Sequence, residues 1–138
     1  MDSTQYNNPH GLGDKNNKST AADLGKLSCV CMQDPIFRDL TSRRIYKCQG
    51  INVKGNEVKE RNYSWWNNNE LLGRGFNGVK TGWTPNAGSC HAASYEKDGL
   101  HLVIILIDCK DKKVRFVEAP KLTLWAVNRL NKFCEFFG

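Results

Sequence analysis

The fold of this 138-residue chain is decided around one stretch, Gly78-Val79-Lys80-Thr81-Gly82-Trp83-Thr84-Pro85-Asn86-Ala87-Gly88. Its first half has the pattern of a strand, and its second half is a turn of small residues. Because side chains alternate along a strand, Lys80 and Gly82 face one side and Thr81 faces the other. Gly82 carries no side chain, so a ligand can approach the backbone closely there. We therefore predict an edge strand on which an ammonium and a hydroxyl flank an open backbone ladder.

The residues that follow predict an antiparallel meander. A strand over Ser89–Glu96 leads through the Asp98-Gly99 turn into a strand over Leu100–Asp108, and Asp-Gly is a strong hairpin signal. Leu102–Ile107 is uniformly apolar, which is typical of a strand covered on both faces. Helices are therefore expected on both sides of this sheet.

One of these helices is predicted over Arg115–Phe136, because apolar residues recur there at helical spacing. The apolar stripe consists of Leu122, Trp125, Ala126 and Phe133. Pro120 fits this helix without loss only in the first turn, since an interior proline removes a backbone hydrogen bond and costs roughly 3 kcal/mol.

The first half of the chain predicts a loop, a helix and a hairpin. A polar segment over residues 1–17 precedes Thr20 and Asp23, which form a capping-box-like helix start. The helix is predicted to end at Asp34-Pro35, and its apolar stripe consists of Leu24, Leu27 and Val30 or Cys31.

The hairpin is predicted from two strands, Arg43–Gln49 and Glu57–Tyr63, joined through Gly50 and Gly55. We expect it to lie beside the functional cleft. Trp65–Asn69 is predicted as a loop whose tryptophans pack against the protein instead of stacking on sugars.

The charge and hydropathy patterns exclude several classes. The 20 Lys and Arg residues against 14 Asp and Glu give a net charge of +6, and the two halves on either side of Trp66 each carry 10 basic and 7 acidic residues. Without a basic stripe or tail, nucleic-acid binding is disfavoured. No N-terminal stretch combines basic residues with a following apolar run, so a signal peptide is not predicted. The longest apolar segment is too short to span a bilayer.

The cysteines predict neither a disulfide framework nor a metal site. Six of them lie singly in predicted helices and strands, at Cys29, Cys31, Cys48, Cys90, Cys109 and Cys134. We expect free buried thiols in a reducing compartment. The Cys29-x-Cys31 spacing does not match a zinc knuckle and the three histidines are scattered, so no metal and no cofactor is predicted.

Two further patterns do not predict catalysis. Ser89 and His91 share a strand face, but no third group is evident that would orient the histidine. Gly75–Thr81 superficially resembles a phosphate loop, but Lys80 is not preceded by glycine and the spacing is short.

Five ordered motifs carry a resemblance to a known family. They are Asn8-Pro9-His10-Gly11-Leu12, Ser19-Thr20-Ala21-Ala22-Asp23-Leu24, Asn69-Glu70-Leu71-Leu72, the Gly78–Gly88 stretch, and Val114-Arg115-Phe116 with Glu118. From Asn8 to about Trp125 the chain resembles the C-terminal half of the serine-type D-alanyl-D-alanine carboxypeptidases, which are low-molecular-mass penicillin-binding proteins of the serine β-lactamase-like superfamily.

The resemblance implies an α+β fold. It predicts a partial β-lactamase/transpeptidase-like fold, in which three C-terminal strands and a hairpin are flanked by helices and the sheet is incomplete without an N-terminal half. Residues 1–138 would be a single partial domain, with the loop, helix and hairpin in 1–66 and the Lys-Thr-Gly strand, meander and last helix in 67–138. An open apolar edge at Leu100–Asp108 is prone to pairing, so we expect either that the chain is a fragment or that a second polypeptide or a second copy completes the sheet.

The resemblance also implies roles for individual residues. Lys80 would support the electrostatics around the nucleophile, and Thr81 and Gly82 would bind substrate. The backbone N–H of Trp83 would be an oxyanion-hole donor. Arg115 would pair with the terminal carboxylate of a D-Ala-D-Ala-like peptide, and a helix-start surface arginine is an equally weighted interpretation.

The chain departs from the family pattern in its nucleophile. Relatives carry Ser-x-x-Lys and Ser-x-Asn upstream of the position of Asn8, where this sequence has only seven residues. Ser94-Tyr95-Glu96-Lys97 fits the first pattern and Tyr6-Asn7-Asn8 a variant of the second, but we interpret both as coincidence. We therefore expect either the substrate-binding half of an acyl-enzyme peptidase, inactive as a lone chain, or a non-catalytic structural or assembly component descended from this family.

Overall fold

The structure is a computed structural model that describes residues 1–137, with side chains as far as Phe133. Its elements in chain order are helices α1 (Ala21–Cys31) and α2 (Pro35–Ser42), strands β1 (Ile45–Lys54), β2 (Glu57–Trp66), β3 (Phe76–Thr84), β4 (Gly88–Lys97) and β5 (Leu100–Cys109), and helix α3 (Val114–Phe137). The strands form two antiparallel sheets, a β1-β2 hairpin and a three-stranded sheet in the order β3-β4-β5. The predicted α+β class is confirmed.

The predicted meander is also confirmed. β4 and β5 are joined by a two-residue turn in which Asp98 and Gly99 have φ values of 53° and 76°. Positive φ at both positions matches the right-handed twist of the flanking strands. The turn fixes a register in which Lys97 is opposite Leu100 and Ala93 is opposite Ile104.

The core lies between the three-stranded sheet and α3. Its buried apolar side chains are Leu71, Phe76, Ala93, Ile104, Phe116 and Ala119. α1 packs against the other face of the sheet, where Gly25 allows close approach: a Cβ placed on it would lie 3.9 Å from Cγ1 of Ile105. β5 is therefore covered on both faces, as its apolar sequence predicts, although Ile107 at its end is 45% exposed.

The prediction of α3 is right in position and wrong in its buried face. Leu122, Trp125 and Phe133 of the predicted stripe are exposed, and Ala126 is half-buried. The positions turned to the sheet are instead Arg115, Phe116, Ala119 and Thr123. Small and polar residues fit there because the helix starts close against β4. Pro120 lies beyond the first turn, so its position forgoes one backbone hydrogen bond.

The start of α1 is as predicted, and its apolar stripe is so only in part, because Leu24 and Cys31 are half-buried whereas Leu27 and Val30 are exposed. The Thr20 side chain accepts a hydrogen bond from the Asp23 backbone N–H at 3.2 Å. The Asp23 carboxylate accepts from Ser3 N–H and from the Thr4 hydroxyl, so it holds the N-terminal segment. The helix buries Asp23 and Ser28, and leaves Leu27 and Val30 on its exposed side.

Helix α2 is an element that sequence analysis missed. Asp34 and Pro35 follow the end of α1 and also start α2. Asp34 is the N-cap of α2, and its side chain accepts a hydrogen bond from Phe37 N–H at 2.9 Å. Pro35 occupies the first turn of α2. This is the usual position of proline at a helix start. The signal was present and was interpreted as a stop.

The hairpin is longer than predicted. β2 extends to Trp66, so Trp65 and Trp66 belong to a strand and not to a loop. Trp66 is 74% exposed, which contradicts its packing role, whereas Trp65, although 53% exposed, packs between the rings of Tyr46 and Tyr63. β1 and β2 pair along ten positions, from Ile45 opposite Trp66 to Lys54 opposite Glu57. Neither strand lines the cleft described below.

The cysteines whose side chains are described are free but not buried. Cys29 is exposed, and Cys31, Cys48, Cys90 and Cys109 are partly exposed, so the expectation of buried thiols is wrong for these five. The side chain of Cys134 lies outside the described residues. Among the described helices, none combines the length and hydropathy needed to cross a membrane.

Candidate functional site

The site is built on β3, an edge strand. Among the described strands, β3 pairs with β4 alone, and it makes one further isolated bridge, from Phe76 to Leu72. Gly82 O and Cys90 O, which are opposite each other, both accept a hydrogen bond from Nη1 of Arg115, at 2.8 and 3.1 Å. Both carbonyls therefore point inward, between the strands. Since backbone groups of successive residues point to opposite sides of a strand, those of Thr81 and Trp83 point to the open edge.

A cleft of about 480 Å³ runs along this open edge. Lys80, Thr81, Gly82 and Trp83 line it together with Arg115, so the structure brings all five predicted site residues to one cavity. A Cβ built on Gly82 would meet no atom within 4 Å. Backbone and side-chain donors are thus exposed to a ligand that lies along the strand.

The cleft is cationic. Three of its lining side chains, Lys80, Lys112 and Arg115, carry positive charge, whereas Glu70 is its one carboxylate. A cleft lined mainly by one sign of charge concentrates ligands of the opposite sign. This arrangement suits a small ligand with a carboxylate.

Arg115 is buried, with 6% of its surface exposed. Nη1 is used by the two backbone carbonyls and Nε is buried without a hydrogen-bond partner. In the described part of the chain no hydrogen bond engages Nη2, and the residue lines the cleft. A ligand carboxylate would therefore meet one guanidinium nitrogen, Nη2, and not a two-nitrogen fork.

Lys80 is exposed, and its Nζ donates to the carbonyl of Thr81. It lies on the sheet face that α1 covers, because its neighbour across the ladder, Ala92, is paired in turn with Ile105. Thr81 and its neighbour His91 lie on the opposite face, toward α3. The ammonium and the hydroxyl therefore reach the cleft from opposite faces of β3.

Lys112 is a cleft residue that sequence analysis missed. Its Nζ lies 5.0 Å from the ring centroid of Trp83, within cation–π range. It belongs to no recognisable motif, and only the return of the chain from β5 to α3 brings it to the cleft. The basic run of Lys110, Lys112 and Lys113 before the helix was the available signal.

The loop of Asn8 and His10 forms one wall of the cleft. Asn8 Oδ1 accepts from Gly11 N–H at 3.0 Å, and His10 Nδ1 accepts from Leu12 N–H at 3.1 Å. His10 also lines the cleft. Both side chains thus shape the loop.

The remaining serine and histidine candidates lie away from the open edge. Ser94 lies in the middle of strand β4 and not at the start of a helix. It is 7% exposed and lines a separate cavity with Cys29 and Met32. Ser89 and His91 are each 1% exposed and face α3. Among the described residues no group of three His, Cys, Asp or Glu side chains could hold a metal ion.

Comparison with known proteins gives a consistent result. Residues 1–111 match the family model of D-alanyl-D-alanine carboxypeptidase. D-alanyl-D-alanine carboxypeptidase DacA of Haemophilus influenzae is 29% identical over 137 residues, covering 96% of this chain and 32% of the relative. DacC of Escherichia coli is 26% identical over 125 residues, covering 91% of this chain and 29% of the relative. The chain thus spans about a third of the length of these curated relatives.

Solved structures show the same likeness in three dimensions. The Streptomyces K15 DD-transpeptidase superposes with a TM-score of 0.82 at 25% identity, covering 91% of this chain and 48% of that one. Penicillin-binding protein D2 of Listeria monocytogenes, in a cefotaxime-bound form, gives 0.68 at 28% identity, with 87% and 46% covered. The predicted partial transpeptidase-like fold and the family resemblance are confirmed.

Proposed function

Because this chain belongs to the D-alanyl-D-alanine carboxypeptidase family, we propose that its cleft binds the carboxylate end of a D-alanyl-D-alanine-like peptide. The observation that carries the proposal is the cationic cleft along the open edge of β3, with Arg115 at its wall. A peptide laid along that edge pairs with the outward backbone groups of Thr81 and Trp83, as in strand addition. Its terminal carboxylate reaches Nη2 of Arg115.

The roles of the other residues follow from this placement. The Trp83 backbone N–H serves as one oxyanion-hole donor, and loss of one such donor typically lowers the rate about 10²- to 10³-fold. The Lys80 ammonium stabilises negative charge at the reacting end of the cleft. Thr81 hydrogen-bonds the peptide, and Gly82 leaves space for its backbone. No cofactor and no metal is part of this scheme.

The attacking hydroxyl is supplied from outside these 138 residues. Within them the one Ser-x-x-Lys, at Ser94, lies on β4 with its side chain in another cavity. The chain is therefore the substrate-binding half of a serine acyl-enzyme peptidase and is inactive as a lone polypeptide. Without a nucleophile, donors and cations bind a peptide but cannot form an acyl-enzyme.

A fluorescent β-lactam tests this proposal. The native protein assembly should label covalently, whereas the 138-residue chain alone should bind without labelling. In the assembly, Lys80→Met should abolish labelling, while Lys47→Met on the hairpin should leave it unchanged. Covalent labelling of the lone chain, or none in the assembly, would refute the acyl-enzyme scheme.

A second candidate is a non-catalytic assembly component. It is favoured by apolar side chains that remain exposed on the sheet edge and on α3, among them Ile107, Leu122 and Trp125. In this alternative a second polypeptide, or a second copy, completes the sheet at β5 and no chemistry takes place. Absence of both labelling and peptide binding in an intact assembly would select it.

A further inference from the structure

Ser89, His91 and the guanidinium of Arg115 meet behind the cleft. Nη1 of Arg115 contacts the carbonyl of Cys90, the residue between Ser89 and His91 on β4. Residues two apart on a strand share a face, and these two face α3, which carries Arg115. The ring of His91 also packs edge-to-face on Phe116 with centroids 5.2 Å apart. One turn of α3 therefore lies directly over both side chains.

This group holds most of the buried polar atoms that have no hydrogen-bond partner in the described chain. They are the hydroxyl oxygen of Ser89, both ring nitrogens of His91 and Nε of Arg115. Buried polar groups are almost always hydrogen-bonded, and each exception calls for an explanation. Four such atoms belong to one face of β4 and to the Arg115 side chain that contacts Cys90 O between them, which indicates a shared network.

The chemistry of the three groups is complementary. The Arg115 Nε–H can only donate, a neutral imidazole has one donor and one acceptor nitrogen, and a hydroxyl does both. Burial, and secondarily the Arg115 charge, lower the pKa of His91 to about 4. The ring is therefore neutral near pH 7 and keeps its acceptor nitrogen.

We propose that one buried water accepts a hydrogen bond from Nε–H of Arg115 and donates to neutral His91, which so positions the guanidinium whose Nη2 serves the ligand carboxylate. Ser89, on the same face of β4, completes the network by hydrogen-bonding to the same water. His91 is thus a positioning residue that does not touch the ligand. The inference rests on the proposed function for its ligand, while the hydrogen bond itself can be tested without one.

The bond is read from the side-chain Nε–H resonance of Arg115 in the ¹⁵N-labelled native protein, assigned by its loss in Arg115→Lys. We expect its exchange with solvent to be slow, and roughly 10-fold faster in His91→Leu, because the bridging water loses its acceptor. His91→Gln, which is neutral and keeps an acceptor, should preserve the slow exchange. His101→Leu, on the exposed side of β5, is the matched control and should change nothing.

An unchanged Arg115 signal in His91→Leu would overturn the inference. If that variant does not fold, the wild type still decides: an Overhauser contact between the Arg115 Nε proton and the His91 ring is expected, and rapid solvent exchange of that proton would contradict the network.

The consequence for binding is measured with N-acetyl-D-alanyl-D-alanine and with its C-terminal amide. His91→Leu should weaken binding of the acid by roughly 10-fold and leave the amide unchanged, while His91→Gln stays close to wild type. Equal losses for acid and amide would mean that His91 is only structural. If the acid does not bind the wild type, the proposed function fails, and the resonance experiment still decides the hydrogen bond.

Discussion

The two sheets of this molecule are held together in different ways. The β3-β4-β5 sheet is covered by α1 on one face and by α3 on the other, and the core residues lie between the sheet and α3. The β1-β2 hairpin is supported by its own ladder and its surface side chains, with Ile51, Val53 and Trp66 exposed. The cleft lies on the covered sheet, where packing can hold donors in place.

The hairpin has a column of stacked aromatic rings on one face in place of a buried core. Tyr46, Trp65 and Tyr63 stack with ring centroids 6.0 and 5.4 Å apart. Arg43 and Arg61 lie over the two outer rings, 5.9 and 5.4 Å from their centroids. Cross-strand aromatic pairs contribute roughly 0.2–1 kcal/mol each, so the hairpin is locally stable without determining the stability of the whole. The predictions below test this division.

The largest contrast is expected between one large apolar residue of each region. Phe116→Ala removes a core ring that also packs on His91, and should lower the free energy of unfolding by about 3–5 kcal/mol. Trp66→Ala on the hairpin should change it by less than about 0.5 kcal/mol. Urea unfolding followed by circular dichroism measures both. Equal losses in the two variants would show that the hairpin and the covered sheet form one cooperative core.

Lowering the pH should reduce the stability of the covered sheet, because His91 is buried there. Its pKa is about 4 in the folded protein and 6.5 when unfolded, so only the unfolded state takes up a proton between these values. Its contribution to stability is therefore complete above pH 6.5 and is lost as the pH falls toward 4. The loss is on the order of 3 kcal/mol, at 1.36 kcal/mol per pKa unit.

His91→Leu should flatten this part of the stability profile, which urea midpoints between pH 4 and 7 measure. His10→Leu, in an exposed loop, is the control and should keep the slope. If the stability of His91→Leu depends on pH as steeply as that of the wild type, other groups cause the pH dependence.

A smaller effect than those of Phe116 and His91 is expected at the hairpin glycine beneath the aromatic column. A Cβ on Gly50 would lie 2.7 Å from Cε2 of Tyr63, so Gly50→Ala must displace that ring. We expect a loss of at most about 1 kcal/mol, seen as faster amide exchange in β1 and β2 and unchanged exchange in β4. The control is Asn52→Ala, which lies on the same face of β1 as Gly50. Gly55→Ala is not a suitable control, because Gly55 has a φ of 61° and an alanine there would be strained. Faster exchange in β4 would show that the two sheets are coupled.

Local rules predicted the covered sheet well. The Asp98-Gly99 turn and the alternation around Lys80 depend on neighbouring residues alone, and the strands lie within a few residues of their predicted bounds. The Thr20 cap of α1 is likewise local. These are the features that bring Lys80, Thr81 and Trp83 to one edge.

Features that depend on distant packing were not predictable in the same way. The large apolar residues of α3, such as Leu122 and Trp125, suggested its buried face, but the sheet leaves space for Ala119 and Thr123 there. His91 could not be recognised as part of a network, because Arg115 reaches it only when α3 folds back over β4. Lys112 likewise lies at the cleft only because the chain returns there from β5 to α3.

The central claim, a cleft that selects a peptide carboxylate through Arg115, is tested most directly by titrating the native protein with N-acetyl-D-alanyl-D-alanine and with its amide. We predict that the acid binds more tightly than the amide and that Arg115→Leu removes this preference, a loss of roughly 10-fold or more for a charged hydrogen bond. Arg129→Leu, farther along α3, should keep it. Equal affinity for acid and amide in the wild type would contradict the account.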